Sequence, residues 1–368
     1  MRLVLFVNKF PALSQTFIVN KCVGLLRRGW DVHVLCQNTA DPTNWAHFPE
    51  LTDIPDMRQR VHDGFHSIVE INDRLYALDP DLIHFEFGSF AVGRIYLKEM
   101  LNCKVLVHFR GFDINYFGLD QPDCYQEVWE RADALLFMSQ DLWRRAQRRG
   151  CPPDKRHYCL LPGLDAADFD ASSREHTQIA GSPSRPLRLL SIGRLVWKKG
   201  YEFGLQAVRS LRDQGIECEY RIIGTGEYEH AIRTTAYQLG LQEVVHFLGG
   251  VPQYRVKQEL LWADILLHPA VSEGFCLAAL EAQAMQVPVV CSDADGLSEN
   301  VADGVTGFVV PRRNPKALVQ KALLLARDPA LRQTMGLAGC QRVLNHFRLD
   351  TNLDAYERIY DEVSGGTL

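Results

Sequence analysis

Several features that mark other protein classes are missing from this chain of 368 residues. Its 10 cysteines form no Cys-x-x-Cys pair, which favours reduced thiols over a disulfide framework or a zinc site. No stretch reaches the roughly 20 apolar residues of a membrane span, and the apolar start at 2–7 is too short for a signal peptide. The net charge of −5 provides no basic field for nucleic acid. We therefore expect a cytoplasmic protein that at most lies peripherally at the inner face of the plasma membrane.

The first predicted strand-to-helix turn also lacks the dinucleotide fingerprint Gly-x-Gly-x-x-Gly. Residues 3–7 predict a buried strand, and residues 14–28 predict a helix with Ser14 as its N-cap. The connection 9–14 contains no glycine, which disfavours a dehydrogenase. The order strand, loop, helix, strand still predicts a doubly wound α/β domain.

The chain divides into two α/β halves of ordinary domain size. We expect an N-terminal domain over 1–170, a linker over 171–186, a C-terminal domain over 187–345 and a last helical stretch over 346–368. Buried apolar runs predict the strands of the second half at 187–192, 219–223, 244–247, 265–268, 287–291 and 307–310. The last helical stretch has no strand after it, so its docking place is open.

Two carboxylates flank a predicted helix start in the second half. Glu273 lies on the loop after the strand 265–268, and Glu281 lies about one turn inside the helix 277–285. The free N–H groups of a helix N-terminus suit a phosphate, whereas carboxylates suit hydroxyl groups. A phosphate between two hydroxyl-bearing groups is the pattern of a nucleotide-sugar.

Further strand ends of this half carry cations and glycines. Arg194 and Lys199 follow the strand 187–192 and offer a planar fork and a point charge to a phosphate, although such a pair is also common on surfaces. Gly224 and the pair at 249–250, before Val251, permit close backbone approach, or are mere turns. Because ligands bind outside the carboxyl ends of strands in open α/β sheets, these loops predict one donor site.

The first half offers polar groups after the strand 104–109. His108, Arg110 and Asp113 lie there, and His108 is either a satisfied core histidine or a substrate contact. The helix 141–149 carries four arginines, which form either a solvated face or a surface for anionic lipid headgroups.

Together, Gly193-Arg194-Leu195, Lys199-Gly200, the glycines at 224–226 and 247–249, the Glu273–Glu281 pair and 303–311 resemble the retaining glycosyltransferases of family 4. The segment 10–18 resembles the subgroup that builds bacterial exopolysaccharides and other surface glycans. The resemblance implies a GT-B fold, with two Rossmann-like doubly wound domains and an active site in the interdomain cleft. It also implies that the last helical stretch, 346–368, crosses back to the N-terminal domain. It implies transfer of a sugar, with retention, from a UDP- or GDP-linked donor to a glycan or lipid-linked acceptor. It implies neither a metal nor another cofactor.

The resemblance also implies roles for individual residues. Glu273 and His108 would be the catalytic contacts to the donor sugar. The donor would be bound by Arg194, Lys199, Glu281, Gly274, Phe275, Cys276, Leu277, Gly224, Gly249 and Val251. An acceptor or phosphate loop would comprise Ser14, Gln15, Arg110 and Asp113. The chain departs from the family pattern at Cys276, at Asp295-Gly296 and at Glu86.

Two other functions stay open at this point. A nucleotide-sugar epimerase of GT-B fold would act without any acceptor. A non-catalytic nucleotide-sugar binding protein would not hydrolyse the donor. The Asp-x-Asp strings at 79–81, 168–170 and 293–295 resemble a metal-binding motif, but we interpret them as incidental.

Overall fold

The computed structural model describes residues 1–12, 15–38, 42–165, 169, 171 and 178–365. It forms two compact units, of which the first comprises residues 1–163 and 349–368 and the second comprises residues 164–348. The units thus divide after Gly163 and after Arg348, whereas the sequence placed the domain limits at 170 and 345. No helix among the described residues is both long enough and apolar enough to cross a bilayer.

The first unit is built on a parallel sheet. Its strands are β1 (Arg2–Val7), β2 (Asp31–Cys36), β3 (Val61–His62), β4 (Leu82–Phe85), β5 (Lys104–Phe109), β6 (Ala134–Phe137) and β7 (His157–Cys159). Its helices are α1 (Thr16–Arg27), α2 (Met57–Arg60), α3 (Ile68–Leu78), α4 (Gly88–Ala91), α5 (Leu97–Leu101), α6 (Gly111–Asn115), α7 (Gln126–Arg131), α8 (Gln140–Arg148) and, at the chain's end, α16 (Leu349–Ser364). The strand order is β3-β2-β1-β4-β5-β6-β7, so the winding direction reverses between β1 and β4.

The second unit repeats this plan. Its strands are β8 (Leu187–Ile192), β9 (Cys218–Ile223), β10 (Val245–Gly249), β11 (Ile265–His268), β12 (Val289–Ser292) and β13 (Gly307–Val310). Its helices are α9 (Tyr201–Asp213), α10 (Glu229–Gln238), α11 (Gln253–Trp262), α12 (Leu277–Ala284), α13 (Leu297–Asn300), α14 (Pro315–Arg327) and α15 (Pro329–His346). The order β10-β9-β8-β11-β12-β13 reverses between β8 and β11. The predicted pair of doubly wound α/β domains is therefore confirmed.

Each unit has a core of its own, because helices cover its sheet. In the first unit, α1 buries the predicted face of Ile18, Cys22 and Leu25 against β1 and β2. The last helix, α16, adds Leu353, Tyr356, Ile359, Tyr360 and Val363 to the same core. The terminal helix is therefore an integral part of the first unit.

Some element limits differ from the prediction. Helix α1 begins at Thr16, with Gln15 as an N-cap that makes no side-chain capping bond, and Ser14 lies outside the described residues. The segment 42–62 contains α2 and β3 together with two short 3-10 helices at Pro42–His47 and Pro49–Leu51. Strand β7 was not predicted, because three half-buried residues give no clear alternation.

Candidate active site

The loops after β8 and β11 meet at the reversal point of the second sheet. The two strands pair in parallel, with Ile265 beside Leu189, so both loops leave the same edge. The backbone N–H of Val271 donates to Lys198 O at 2.8 Å. A Cβ on Gly200, which has φ +64°, would lie 2.2 Å from Pro269 O, so only glycine allows this approach. The structure thereby brings the predicted cation loop against the predicted carboxylate loop.

A buried ion cluster joins these loops. Glu273 Oε2 accepts a hydrogen bond from Lys199 Nζ and lies 3.2 Å from His268 Nε2 at the end of β11. Although burial opposes ionisation, Lys199 and His268 hold the pKa of Glu273 far below its ordinary value. Burial would lower the pKa of His268, but the Cys276 sulfur and Glu273 raise it to about 9. Glu273 is therefore an anion held between two cations, and it cannot act as a proton donor at neutral pH.

The segment 274–277 leads from Glu273 into α12. Gly274, Phe275 and Cys276 are buried, and Cys276 is the N-cap residue of α12, which Leu277 begins. The Asn300 side chain donates to Cys276 O at 2.7 Å and fixes the cap. The first N–H groups of α12 therefore lie directly after Glu273, as a phosphate site beside a sugar site would require.

Three possible metal ligands also meet here. One atom each of His268, Glu273 and Cys276 lies within 4.8 Å of the other two, and Cys276 Sγ is 3.7 Å from His268 Nδ1. Lys199 already neutralises the carboxylate, and the Cys276 sulfur and Glu273 Oε2 contact different nitrogens of the ring. The donor set therefore fits an ion network better than a metal centre.

Glu281 is buried on α12, eight residues after Glu273. Its Oε1 accepts from Gln253 Nε2 at 3.0 Å, and burial raises the pKa of Glu281. Gln253 begins α11, directly after the short loop that follows Gly249, the last residue of β10, and contains Val251. The sequence analysis missed Gln253; its position in the first turn after a glycine-rich strand end was the available signal.

The remaining predicted donor residues line the neighbouring strand ends. Arg194 is exposed and forms no ion pair with another described residue. Gly224 N donates to Gly249 O at 2.8 Å, and a Cβ on Gly224 would lie 1.9 Å from Gly193 O. The loops after β8, β9 and β10 therefore lie side by side, with a free guanidinium among them.

Asp295 lies on the loop after β12, and its side chain holds the loop that contains Glu273 in place. It is buried, it has φ +50°, and its Oδ2 accepts from Ser272 Oγ at 2.5 Å and from Glu273 N at 3.0 Å. Arg312 donates to its Oδ1 at 3.2 Å. The departure from a glycine pair at 295–296 thus has a structural role, which the sequence analysis did not assign.

A second buried cluster lies in the first unit. His108, the second-last residue of β5, has its Nδ1 3.2 Å from Arg110 Nη2. The same Arg110 nitrogen donates to Glu86 Oε2 at 2.6 Å. Lys21 donates to the other oxygen of Glu86. Possible metal ligands from His84, Glu86 and His108 also lie within 4.8 Å of one another, but these two cations already occupy the carboxylate. The cluster is an ion network of the first unit.

The other predicted acceptor-loop residues have different surroundings. Asp113 is buried and accepts from Arg110 N at 3.0 Å and Ser89 N at 2.9 Å, so both of its oxygens serve backbone N–H groups. Gln15 Oε1 is buried without a hydrogen-bond partner among the described residues. Among the described residues of this predicted loop, Arg110 is the one with a side-chain atom within hydrogen-bonding distance of His108.

The arginines of α8, together with its C-cap residue Arg149, divide between two environments. Arg145 pairs with Asp141 at 2.6 Å, and Arg149 donates to Asp113 O at 3.0 Å. Arg144 and Arg148 are exposed. Two of the four arginines of the predicted basic face therefore bind other groups of the protein, and the other two are exposed.

Comparisons with known proteins match this chain to glycosyltransferases. The family model of the glycosyl transferases group 1 matches residues 172–342, nearly all of the second unit. WcaL of Escherichia coli K12, a glycosyltransferase assigned to colanic acid biosynthesis, is 29% identical over 87% of this chain and 89% of its own length. The amylovoran biosynthesis glycosyltransferase AmsK of Erwinia amylovora is 28% identical over 90% and 92%.

A solved structure supports the fold over the whole chain. HepE of Anabaena, determined in complex with UDP-glucose, superposes with a TM-score of 0.80, at 15% identity, over 98% of this chain and 99% of its own. Two doubly wound units, a matching family model and relatives that extend along nearly the whole chain agree with one another. Residues 172–342 therefore match the group 1 glycosyltransferases, and the chain as a whole has the fold of the GT-B glycosyltransferases.

Proposed function

We propose that this protein transfers a sugar, with retention of its anomeric configuration, from a nucleoside-diphosphate sugar to a glycan or lipid-linked acceptor. The observation that carries the proposal is the Lys199–Glu273 pair directly before α12, with Glu281 eight residues further on. The α12 N-terminus and Lys199 would bind the diphosphate, Glu281 the ribose hydroxyls and Glu273 the sugar hydroxyls. The donor would occupy the second unit.

In the reaction, the bond between the anomeric carbon and the diphosphate breaks and the acceptor oxygen bonds to the same carbon. The proton of the acceptor hydroxyl passes to the departing phosphate, so the products are a glycoside and a nucleoside diphosphate. Arg194 is free to turn toward the diphosphate, and Lys199 can exchange Glu273 for a phosphate oxygen. These cations stabilise the developing negative charge. We propose that they replace a divalent metal.

The acceptor class is proposed from the relatives. WcaL and AmsK both carry names from exopolysaccharide biosynthesis. We propose the same setting for this chain, with the acceptor presented at the cytoplasmic face of the plasma membrane. The exposed Arg144 and Arg148 of α8 would suit contact with anionic headgroups.

A thermal-shift panel of nucleotide-sugars tests the donor class. A ligand present at a hundred times its dissociation constant stabilises the folded protein by about 2.7 kcal/mol. We expect one UDP- or GDP-linked sugar to raise the melting temperature more than its free sugar does. If no nucleotide or nucleotide-sugar shifts it, the proposed donor site is wrong.

Product analysis tests the reaction itself. The selected donor is incubated with lipid-linked acceptors, and the anomeric configuration of the product is read from its proton coupling constant. We expect a new glycoside with the donor's configuration. An altered nucleotide-sugar formed without acceptor would identify an epimerase instead, and binding with neither hydrolysis nor transfer would identify a non-catalytic binding protein.

A further inference from the structure

Two histidines of the first unit lie face to face on neighbouring strands. His84 on β4 and His108 on β5 are both buried, and their rings stack with centroids 5.7 Å apart and planes at 25°. In both rings Nε2 has no hydrogen-bond partner among the described residues. Buried polar atoms without partners are rare, so this pair calls for an explanation.

The neighbours of Nδ1 define the protonation of each ring. His108 Nδ1 lies 3.2 Å from Arg110 Nη2, and a guanidinium can only donate, so this Nδ1 must carry a lone pair. In His84, Nδ1 lies 2.8 Å from the Tyr360 hydroxyl and 3.4 Å from the Lys21 ammonium, which also donates. A neutral imidazole with a lone pair on Nδ1 carries its proton on Nε2. Both unpartnered Nε2 atoms are therefore N–H donors.

The charge of the cluster keeps both rings neutral. Glu86 Oε1 accepts from Lys21, Glu86 Oε2 accepts from Arg110 at 2.6 Å, and Arg110 Nε donates to Glu86 O at 2.9 Å. Two cations thus surround one carboxylate. A further positive charge on a ring would be buried beside them, and burial together with Arg110 and Lys21 sets the pKa of both histidines well below the ordinary value.

His108, unlike His84, is among the residues that line one described cavity of the first unit. The cavity is lined by Phe17, His108, Arg110, Leu160, Pro162, Gly163, Leu349, Asn352 and Tyr356. No carboxylate is among these lining residues, and the Asn352 amide already donates to Leu161 O at 2.6 Å. An oxygen atom that enters the cavity and accepts a hydrogen bond would satisfy His108.

We propose that Lys21, Glu86 and Arg110 are positioning residues that hold His108 as the neutral Nε2–H tautomer, so that it donates a hydrogen bond to a substrate oxygen and moves no proton during transfer. The proposal rests on the sugar transfer proposed above. The group that fits is a sugar hydroxyl or phosphate oxygen, because the ring offers a donor and no acceptor. Arg110 sets the tautomer of His108 directly, because it donates to Nδ1. Glu86 orients the Arg110 guanidinium, and Lys21 neutralises the negative charge of Glu86.

Nitrogen-15 spectroscopy of histidine-labelled, full-length protein tests the tautomer without any activity. Long-range ¹⁵N–¹H spectra are assigned by comparison with His108→Gln. We expect His108 to show a protonated Nε2 and an unprotonated Nδ1 throughout about pH 5.5 to 7.5. A protonated Nδ1, or a cationic ring in this range, would overturn the proposal.

Substitutions of His108 test its role in transfer. His108→Gln places an uncharged amide N–H near the Nε2 position, whereas His108→Asn places one near Nδ1 and His108→Ala places none. If His108 only donates, His108→Gln should keep kcat within about tenfold, and the other two should lose about a hundredfold. If folded His108→Gln is as inactive as His108→Ala, the ring moves a proton and the proposal fails.

Glu86→Gln separates positioning from folding. We expect it to mix the His108 tautomers and lower kcat, while the affinity for nucleoside diphosphate stays that of the wild type, because that ligand binds the second unit. Unchanged tautomer and kcat in the folded variant would contradict the positioning role. If the wild-type protein transfers no sugar at all, the proposed function fails, but the tautomer is still decided by the spectra.

Discussion

At the scale of single residues, the partner of each ionisable group determines what it can do. Lys199 and Glu273 could be predicted as a pair of loop residues, because both follow strands of one sheet edge. Their direct contact, and the part of His268 in it, could not be predicted, since no sequence pattern gives side-chain distances. Asp295 was noticed only as a departure from glycine, and its three hydrogen-bond donors come from distant segments.

Asp295 is expected to act on turnover through the Glu273 loop. Asp295→Gly tolerates the observed φ of +50° and removes only the side chain, so it should lower kcat and leave the nucleotide dissociation constant nearly unchanged. Asp295→Asn keeps one acceptor oxygen and should lose less. Steady-state kinetics and calorimetry on both variants check this order. An equal kcat in Asp295→Gly and wild type would show that Asp295 does not act on turnover through the Glu273 loop.

Glu86 is expected to shape the stability of the first unit in acid. Lys21 and Arg110 lower its pKa from 4.5 to about 2 against the effect of burial. The carboxylate is therefore protonated at a lower pH in the folded state than in the unfolded state. Its contribution, about 3 kcal/mol for such a shift, is complete above pH 4.5 and is lost as the pH falls toward 2. Urea titrations should show a weaker acid dependence in Glu86→Gln than in wild type. A parallel decline of both proteins would mean that Glu86 contributes nothing.

At the scale of elements, buried strand runs were predictable and contacts between loops were not. The strands of the second unit lie within two residues of their predicted limits, because apolar runs bounded by glycine and proline mark parallel strands. For Gly224, the residue pattern predicted either close backbone approach or a mere turn, and the family resemblance implied a place in the donor site. Its need for glycine follows from the approach of the loop after β8, which lies far away in sequence.

Gly224→Ala is therefore expected to destabilise the second unit. The new Cβ would lie 1.9 Å from Gly193 O, and φ +141° is unfavourable for alanine, so we expect a loss of about 3 kcal/mol. Gly250→Ala, on the adjacent loop, is the matched control, because its Cβ would meet only Thr225 Cγ2 at 3.7 Å. The melting temperatures of the two variants are compared with that of the wild type. If both variants melt like the wild type, the loops are not held as close as described.

At the scale of the whole molecule, two doubly wound units were predictable from the alternation of strands and helices, but their limits were not. Leu164 N donates to Phe347 O at 2.7 Å and Leu164 forms a parallel bridge with Arg348, so both ends of the second unit close together. A change in composition along the sequence can indicate a linker, but it does not indicate that two distant segments pair with each other in this way. The membership of α16 in the first unit was implied by the family resemblance; the residue pattern alone left the partner of its apolar face open.

Truncation tests the place of α16. Removing residues 349–368 deletes five buried apolar or aromatic side chains, each worth about 1.5 to 3 kcal/mol, a loss comparable to the stability of a domain. We expect limited proteolysis to cut residues 1–163 of the truncated protein rapidly. Removal of residues 366–368 alone is the control. Equal resistance of both truncated proteins would show that α16 is dispensable for the first unit.

The donor site on the second unit is the central claim, and calorimetric titration with UDP and GDP tests it most directly. We expect one nucleotide to bind the wild type, and Arg194→Ala and Glu281→Ala to weaken it about tenfold or more, since each removes a charged hydrogen-bonding group. Arg209→Ala and Glu229→Ala, on the outer helices α9 and α10, should bind like the wild type. Undiminished affinity in both Arg194→Ala and Glu281→Ala would contradict the account.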